Sequence, residues 1–296
     1  MTNTPLRVAL LQEHDHGSVE ANLAAIEAGL REAAAQRVQL VLLQELHNGP
    51  YFCQHESVDE FDRAEPIPGP STVRIGALAE ELELVVVASL FERRAAGLYH
   101  NTAVVFDRKK EICGKYRKMH IPDDPAFYEK FYFTPGDLGF MPIETSIGKL
   151  GVLVCWDQWY PEAARLMALA GADLLLYPTA IGWDPADSAD EKARQRDAWI
   201  TVQRGHAVAN GLPVVACNRF GFEAAPGTGD RGLQFWGSSF IAGPQGEILA
   251  QADTDRRELL TADIDLKRSE SVRRIWPFLR DRRIDSYADL LKRFRD

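Results

Sequence analysis

Short apolar runs alternate along the chain with stretches whose apolar positions recur at helical spacing. Residues 6–11, L-R-V-A-L-L, predict a first strand. Ser18 then offers a cap to a helix on which Val19, Leu23, Ile26 and Leu30 share one face. A second strand is expected over residues 38–43, ending at Gln44-Glu45-Leu46, and Asn48-Gly49-Pro50 marks a turn. The signal Ile67-Pro68-Gly69-Pro70-Ser71 precedes a helix carrying Val73, Ile75, Leu78 and Leu82. Residues 84–90 read as a third strand, and 99–106 with 111–115 read as a hairpin.

The second half follows a similar order. Residues 149–161, K-L-G-V-L-V-C-W-D-Q-W-Y-P, predict a buried strand that stops at Cys155 and gives way to a turn and a helix. Leu150, Val152, Leu153 and Val154 are apolar without alternation, which indicates burial on both faces. Pro161 suits a first helical turn, where its missing N–H would be unpaired anyway. That helix, over 162–170, stops at Gly171, and residues 174–177 complete a β-α-β unit. A helix over 191–210 and a strand over 214–218 come next. The glycine-rich stretch 221–232 reads as a mobile loop; 236–242 and 247–252 form a hairpin, and 258–264 is the last strand.

Residues 115–139 and 178–190 read as long loops, and such loops inside a compact domain are more often functional than idle. No linker-like stretch divides the pattern. It describes one α/β domain over residues 1–264, with a polar, arginine-rich tail over 265–296. The tail carries Ile275, Trp276, Phe278, Leu279, Ile284, Tyr287, Leu290 and Leu291, anchors that should dock on the core or on a partner.

Composition narrows the class. Hydrophobic residues make up 46% of the chain, enough for a large core, and the net charge of −9 disfavours nucleic acid and anionic membranes as partners. The four cysteines are far apart and form no C-x-x-C pair, which suggests free thiols in a reducing compartment. The N-terminal residues lack a signal-peptide core, and no apolar run reaches membrane-spanning length. A soluble cytoplasmic protein is expected.

Cys155 is the first chemical candidate, because open α/β sheets place their chemistry at the carboxyl ends of strands. A thiol attacks only as thiolate, so it needs a base or a nearby positive charge. None of the seven histidines stands in a Cys-His motif. Glu45, just past Val41-Leu42-Leu43, would be partly desolvated and so a better base, and Lys118 lies after a hairpin. Composition alone favours a capping role for Glu45 and a solvated surface charge for Lys118. Cys53 and His55 offer two possible metal ligands, too few for a site, so no metal and no cofactor is expected. The glycines of 221–232 lack phosphate-loop spacing.

Three segments change that weighting. Glu45 in L-L-Q-E-L, Lys118 in K-Y-R-K-M-H and Cys155 in L-V-C-W-D-Q-W-Y-P-E-A-A-R resemble, in order, spacing and flanking residues, the three signatures of the nitrilase superfamily of carbon–nitrogen hydrolases. Gln44 departs from the proline that many members carry before the glutamate. The segments N-G-P-Y-F-C-Q, Y-E-K-F-Y-F-T-P-G-D, L-Y-P-T-A-I-G and F-W-G-S-S-F-I-A-G-P further resemble the branch that hydrolyses N-carbamoylputrescine.

The resemblance implies a four-layer αββα sandwich and a catalytic triad. Glu45 would be the general base, Cys155 the nucleophile, and Lys118 with the Trp156 N–H the stabiliser of the tetrahedral anion. It also implies a substrate-positioning role for Glu129 and a homo-oligomer built on dimers.

The implied substrate is a small cationic carbamoyl-amine, whose ammonium needs a carboxylate partner. Asp123 and Asp124 are the first candidates for that partner, and Asp187 and Glu223 the weaker ones. His120 is as able to bond a loop carbonyl as to touch substrate, and Trp156 and Trp183 could each be core, pocket wall or both. The alternatives are another amidase, β-ureidopropionase-like enzyme or nitrilase of the superfamily with different pocket walls, a thiol redox sensor, and an inactive module of the same fold. A redox sensor needs a resolving cysteine near Cys155, which the sequence does not display. The intact three-residue set argues against an inactive module.

Overall fold

The computed structural model describes residues 5–227 and 231–295. The first half begins with β1 (Leu6–Gln12) and α1 (Val19–Ala35), whose start is capped by the Ser18 side chain accepting the Ala21 N–H. It continues through β2 (Leu40–Leu43), α2 (Pro70–Glu81), β3 (Val85–Ala95), β4 (Leu98–Asp107) and β5 (Ile112–Arg117). After the short α3 (Glu129–Tyr132) come β6 (Ile143–Thr145), β7 (Gly148–Val152), α4 (Pro161–Leu169) and β8 (Leu174–Pro178). Then follow β9 (Gly182–Trp183), α5 (Ala189–Asn210), β10 (Val214–Cys217), β11 (Phe220–Ala224) and β12 (Gly232–Trp236). The last elements are β13 (Phe240–Ala242), β14 (Ile248–Gln251), β15 (Glu258–Ile264) and α6 (Leu266–Ile275).

Two six-stranded sheets result, in the orders β15-β1-β2-β3-β4-β5 and β14-β13-β10-β8-β7-β6. In each, parallel strands at the centre are flanked by antiparallel ones. The pleat sends successive side chains to opposite faces. Val8, Leu10, Leu40 and Leu42 therefore point inward and meet Val152, Leu174, Leu176 and Val214 of the second sheet. Ala9, Leu11, Val41 and Leu43 point outward, onto Leu23, Ile26, Leu30, Ile75 and Leu78 of α1 and α2. The second sheet is covered by α4 and α5 through Ala163, Ala164, Met167, Trp199 and Ala207. The layers are helix, sheet, sheet, helix. Burial on both faces explains why these strands appear in sequence as unbroken apolar runs.

One stretch differs from expectation. Residues 221–232 are not simply a loop: β11 and β12 form an antiparallel hairpin, and β12 also pairs with β9 in a small third sheet. Residues 228–230 lie outside the described residues. Gly182 makes the β9–β12 approach possible, since a Cβ there would meet the Gln234 carbonyl oxygen at 2.6 Å. The tail begins with α6, and beyond it Ile284, Leu290, Leu291 and Phe294 are exposed rather than docked on the core. No helix among the described residues is long and apolar enough to cross a membrane.

Candidate active site

Glu45, Lys118 and Cys155 lie far apart in sequence, and the two-sheet packing gathers them at one end of the sandwich. β2 delivers Glu45, whose N–H donates to the Thr179 carbonyl and whose own carbonyl accepts Arg219 Nη2 at 2.8 Å. Lys118 follows β5, its N–H held by the Asn101 carbonyl at 2.9 Å. The ammonium of Lys118 donates to Glu45 Oε1 at 2.8 Å and to Glu129 Oε2 at 2.7 Å, and all three side chains are fully buried. Tyr51 Oη donates to the other oxygen of Glu129 at 2.8 Å. Asn101 Nδ2 donates to Glu45 Oε1 at 2.7 Å, whereas Glu45 Oε2 is buried with no partner among the described residues.

Cys155 sits where β7 gives way to a single 3-10 turn over Cys155–Trp159. Its φ of +42° lies in the left-handed region, which non-glycine residues seldom adopt. Asp157 holds this sharp turn: its Oδ2 accepts the Val154 N–H at 2.9 Å and Tyr116 Oη at 2.8 Å. Its Oδ1 accepts the His120 N–H at 3.0 Å and pairs with His120 Nδ1 at 2.7 Å. Sequence reasoning gave Asp157 no role; its position within the turn after the cysteine was the available signal.

Electrostatics suit a nucleophile that is activated on demand. Burial pushes the Cys155 thiol well above its ordinary value, Glu45 adds to this, and Lys118 opposes it. The resting sulfur therefore keeps its proton. Burial disfavours the charge on Lys118, but Glu129 and Glu45 outweigh it and hold the amine well above the usual lysine range. Glu129 is pushed up to about 7, chiefly by burial. One cation thus serves two carboxylates, and the carboxylate oxygen without a donor is available to take a proton.

Cys155 opens into a cavity of about 450 Å³. Trp156, Trp159, Ile181, Leu233 and Trp236 give it apolar walls, and Asp124, Asp184 and Asp187 supply its charged groups. Among the described residues, no lysine, arginine or histidine lines it. Asp187 Oδ2 accepts from Gln195 Nε2 at 3.0 Å, whereas Asp124 Oδ1 is buried without a partner among the described residues, and burial raises that carboxyl.

The remaining sequence candidates lie elsewhere. Asp123 is exposed and does not line the cavity. His120 is tied to Asp157 and stacks on Tyr160 with ring centroids 3.7 Å apart, behind the cysteine turn rather than on the cavity wall. Trp183 packs on Trp236 and donates Nε1 to the Lys192 carbonyl, one shell behind the wall. Both oxygens of Glu223 are taken, one by Arg219 Nη1 at 2.6 Å and one by the Tyr51 N–H at 2.6 Å. Gln44, at the proline position, accepts the Glu13 N–H at 3.0 Å and ties the end of β2 to that of β1.

One group among the described residues brings three possible metal ligands together: Glu13, His14 and His16, with ligand atoms within 4.8 Å of one another. Arg257 already donates to that glutamate at 2.9 Å, a positive charge that opposes a cation there.

The carbon–nitrogen hydrolase family pattern matches residues 7–274. An Arabidopsis thaliana protein named N-carbamoylputrescine amidase is 46% identical over 286 residues, covering 96% of this chain and 94% of that protein. A Francisella tularensis protein named citrullinase is 39% identical, covering 98% of this chain and 99% of that one. The crystal structure of a carbon–nitrogen hydrolase from Helicobacter pylori G27 is 56% identical and superposes with a TM-score of 0.95 over 98% of this chain and 99% of that one.

Proposed function

The chain belongs to the carbon–nitrogen hydrolase family, and we propose that it hydrolyses N-carbamoylputrescine to putrescine, carbon dioxide and ammonia. The cavity wall carries this reading. A ureido group held at Cys155 leaves the distal ammonium of the substrate among Asp124, Asp184 and Asp187, with no basic residue among the described residues of the wall to receive a carboxylate. The apolar walls suit the butyl chain between the two ends. Citrulline and N-carbamoyl-β-alanine carry the same ureido group but also a carboxylate, which this wall would repel.

In this reading Glu45 Oε2 takes the thiol proton as Cys155 Sγ attacks the carbamoyl carbon. Lys118 and the Trp156 N–H stabilise the resulting anion. The tetrahedral species collapses and expels ammonia, protonated from Glu45, leaving an N-alkyl thiocarbamate on the sulfur. Glu45 then activates a water that attacks the same carbon. Sulfur leaves with the proton, and the freed carbamate breaks down to carbon dioxide and amine. Glu129 keeps Lys118 in place and charged.

The enzyme works as a homo-oligomer built on dimers, a reading supported by the exposed apolar tail, and in the cytoplasm, where its four free thiols stay reduced. The direct test is ammonia release from N-carbamoylputrescine by the purified chain, with Cys155→Ala as the blank. Equal amounts of ammonia and putrescine support the proposal. No turnover, or turnover by the alanine variant, removes it.

A further inference from the structure

Glu45 presents its two oxygens unequally. Oε1 accepts from both Lys118 Nζ, at 2.8 Å, and Asn101 Nδ2, at 2.7 Å. Oε2 is buried and has no partner among the described residues. Asn101 itself is fully buried on β4. Its amide is oriented from behind, because Oδ1 accepts Ser89 Oγ at 3.2 Å. The opposite orientation would set an amide oxygen against a carboxylate oxygen and leave Nδ2 facing the serine. The main-chain carbonyl of the same asparagine accepts the Lys118 N–H at 2.9 Å. One residue therefore holds the base through its side chain and the lysine through its backbone.

We propose that Asn101 is a positioning residue for the hydrolysis: by saturating Glu45 Oε1 it reserves Oε2 for the proton of Cys155 and fixes the direction from which that proton is taken. Without the Asn101 amide, the carboxylate can rotate about its terminal torsion, a broad and weakly restrained one, and present either oxygen to Lys118. A hydrogen bond to a charged group is stronger than one between neutral groups, so Asn101 also favours the anionic base.

This inference rests on the reading of Glu45 as general base, and the experiment separates the two. In the full-length protein, Asn101→Ala should lower kcat for N-carbamoylputrescine by about 10- to 100-fold, a part of what a general base supplies. KM should change by less than about threefold, because Asn101 does not line the cavity. The acid limb of the kcat/KM pH profile should move to higher pH, since the anion loses a donor. Ser89→Ala, which only loosens the amide, should shift the same limb in the same direction by less.

If Asn101→Ala does not fold, Asn101→Ser and Ser89→Ala carry the test with smaller changes in volume. An unchanged acid limb and kcat in folded variants, or a rise in KM that accounts for the whole loss, would overturn the inference. Glu45→Gln serves as the separate arm. Full activity in Glu45→Gln removes the general-base reading itself, whereas an inactive Glu45→Gln beside a normal Asn101→Ala removes only the role assigned to Asn101.

Discussion

The carboxylate of Glu129 lies 2.7 Å from the ammonium of Lys118, with both side chains fully buried. Glu45 shares the same ammonium at 2.8 Å, so one ammonium serves two carboxylates in a fully buried cluster. Removing one member of a buried ion pair typically costs about 3–5 kcal/mol, because the charge left behind loses its compensation. Lys118→Met should therefore melt well below the wild type and lose at least about 100-fold in ammonia release, as expected for the loss of an anion-stabilising donor. Glu129→Gln keeps the shape and can still accept from Lys118, so its melting point should fall less. Equal melting points for the two variants would contradict this ranking.

His47 supplies a pH dependence of a different origin. It is buried two residues after Glu45, with Nδ1 at 2.6 Å from the Ser89 carbonyl oxygen. Burial lowers its pKa from 6.5 to about 4, against the pull of that hydrogen bond. Between those values the unfolded chain binds a proton that the folded chain refuses. Stability is therefore present above the unfolded value and is lost as pH falls from 6.5 to about 4. At about 1.4 kcal/mol per pH unit, the loss is about 3 kcal/mol. His206, also lowered chiefly by burial, acts in the same direction. Urea unfolding of wild type and His47→Gln at pH 7 and at pH 4.5 should show a markedly smaller pH effect in the variant. Parallel behaviour would exclude His47 as the source.

The tail gives a prediction about assembly. Ile284, Leu291 and Phe294 are 74%, 93% and 80% exposed, which a lone chain in water would not favour for so many neighbouring apolar groups. Light scattering at micromolar concentration should report a dimer or a larger even-numbered assembly. Replacing Ile284, Leu290 and Leu291 together with serine should shift it toward smaller species. A wild-type monomer at that concentration would refute the assembly.

The sandwich was legible in sequence because strands buried on both faces, such as Leu40–Leu43 and Leu174–Pro178, show as unbroken apolar runs between turn signals. Glu45, Lys118 and Cys155 stood out as a set only through the three motif segments, since each taken alone had an ordinary structural reading. What stayed hidden was mostly pairing between distant residues. Nothing local predicts that Phe220–Ala224 pairs with Gly232–Trp236, or that β12 reaches β9. Glu223 looked like a free carboxylate until the fold brought Arg219 and the Tyr51 N–H to it. Asp157 and Asn101 belong to the same class: their partners lie 37 and 56 residues away in sequence.

The most direct test of the account is the ratio of kcat/KM for N-carbamoylputrescine to that for citrulline, measured by ammonia release at neutral pH. Both compounds carry a ureido group and an ammonium, and citrulline adds a carboxylate at that far end. A like charge set against Asp124, Asp184 and Asp187 without a compensating cation should cost several kcal/mol, so the account predicts a preference of at least about 100-fold for N-carbamoylputrescine. Asp124→Asn or Asp187→Asn should narrow that ratio. Equal efficiency with citrulline, or a preference for it, would contradict the assignment of the cavity as a cation-selective site.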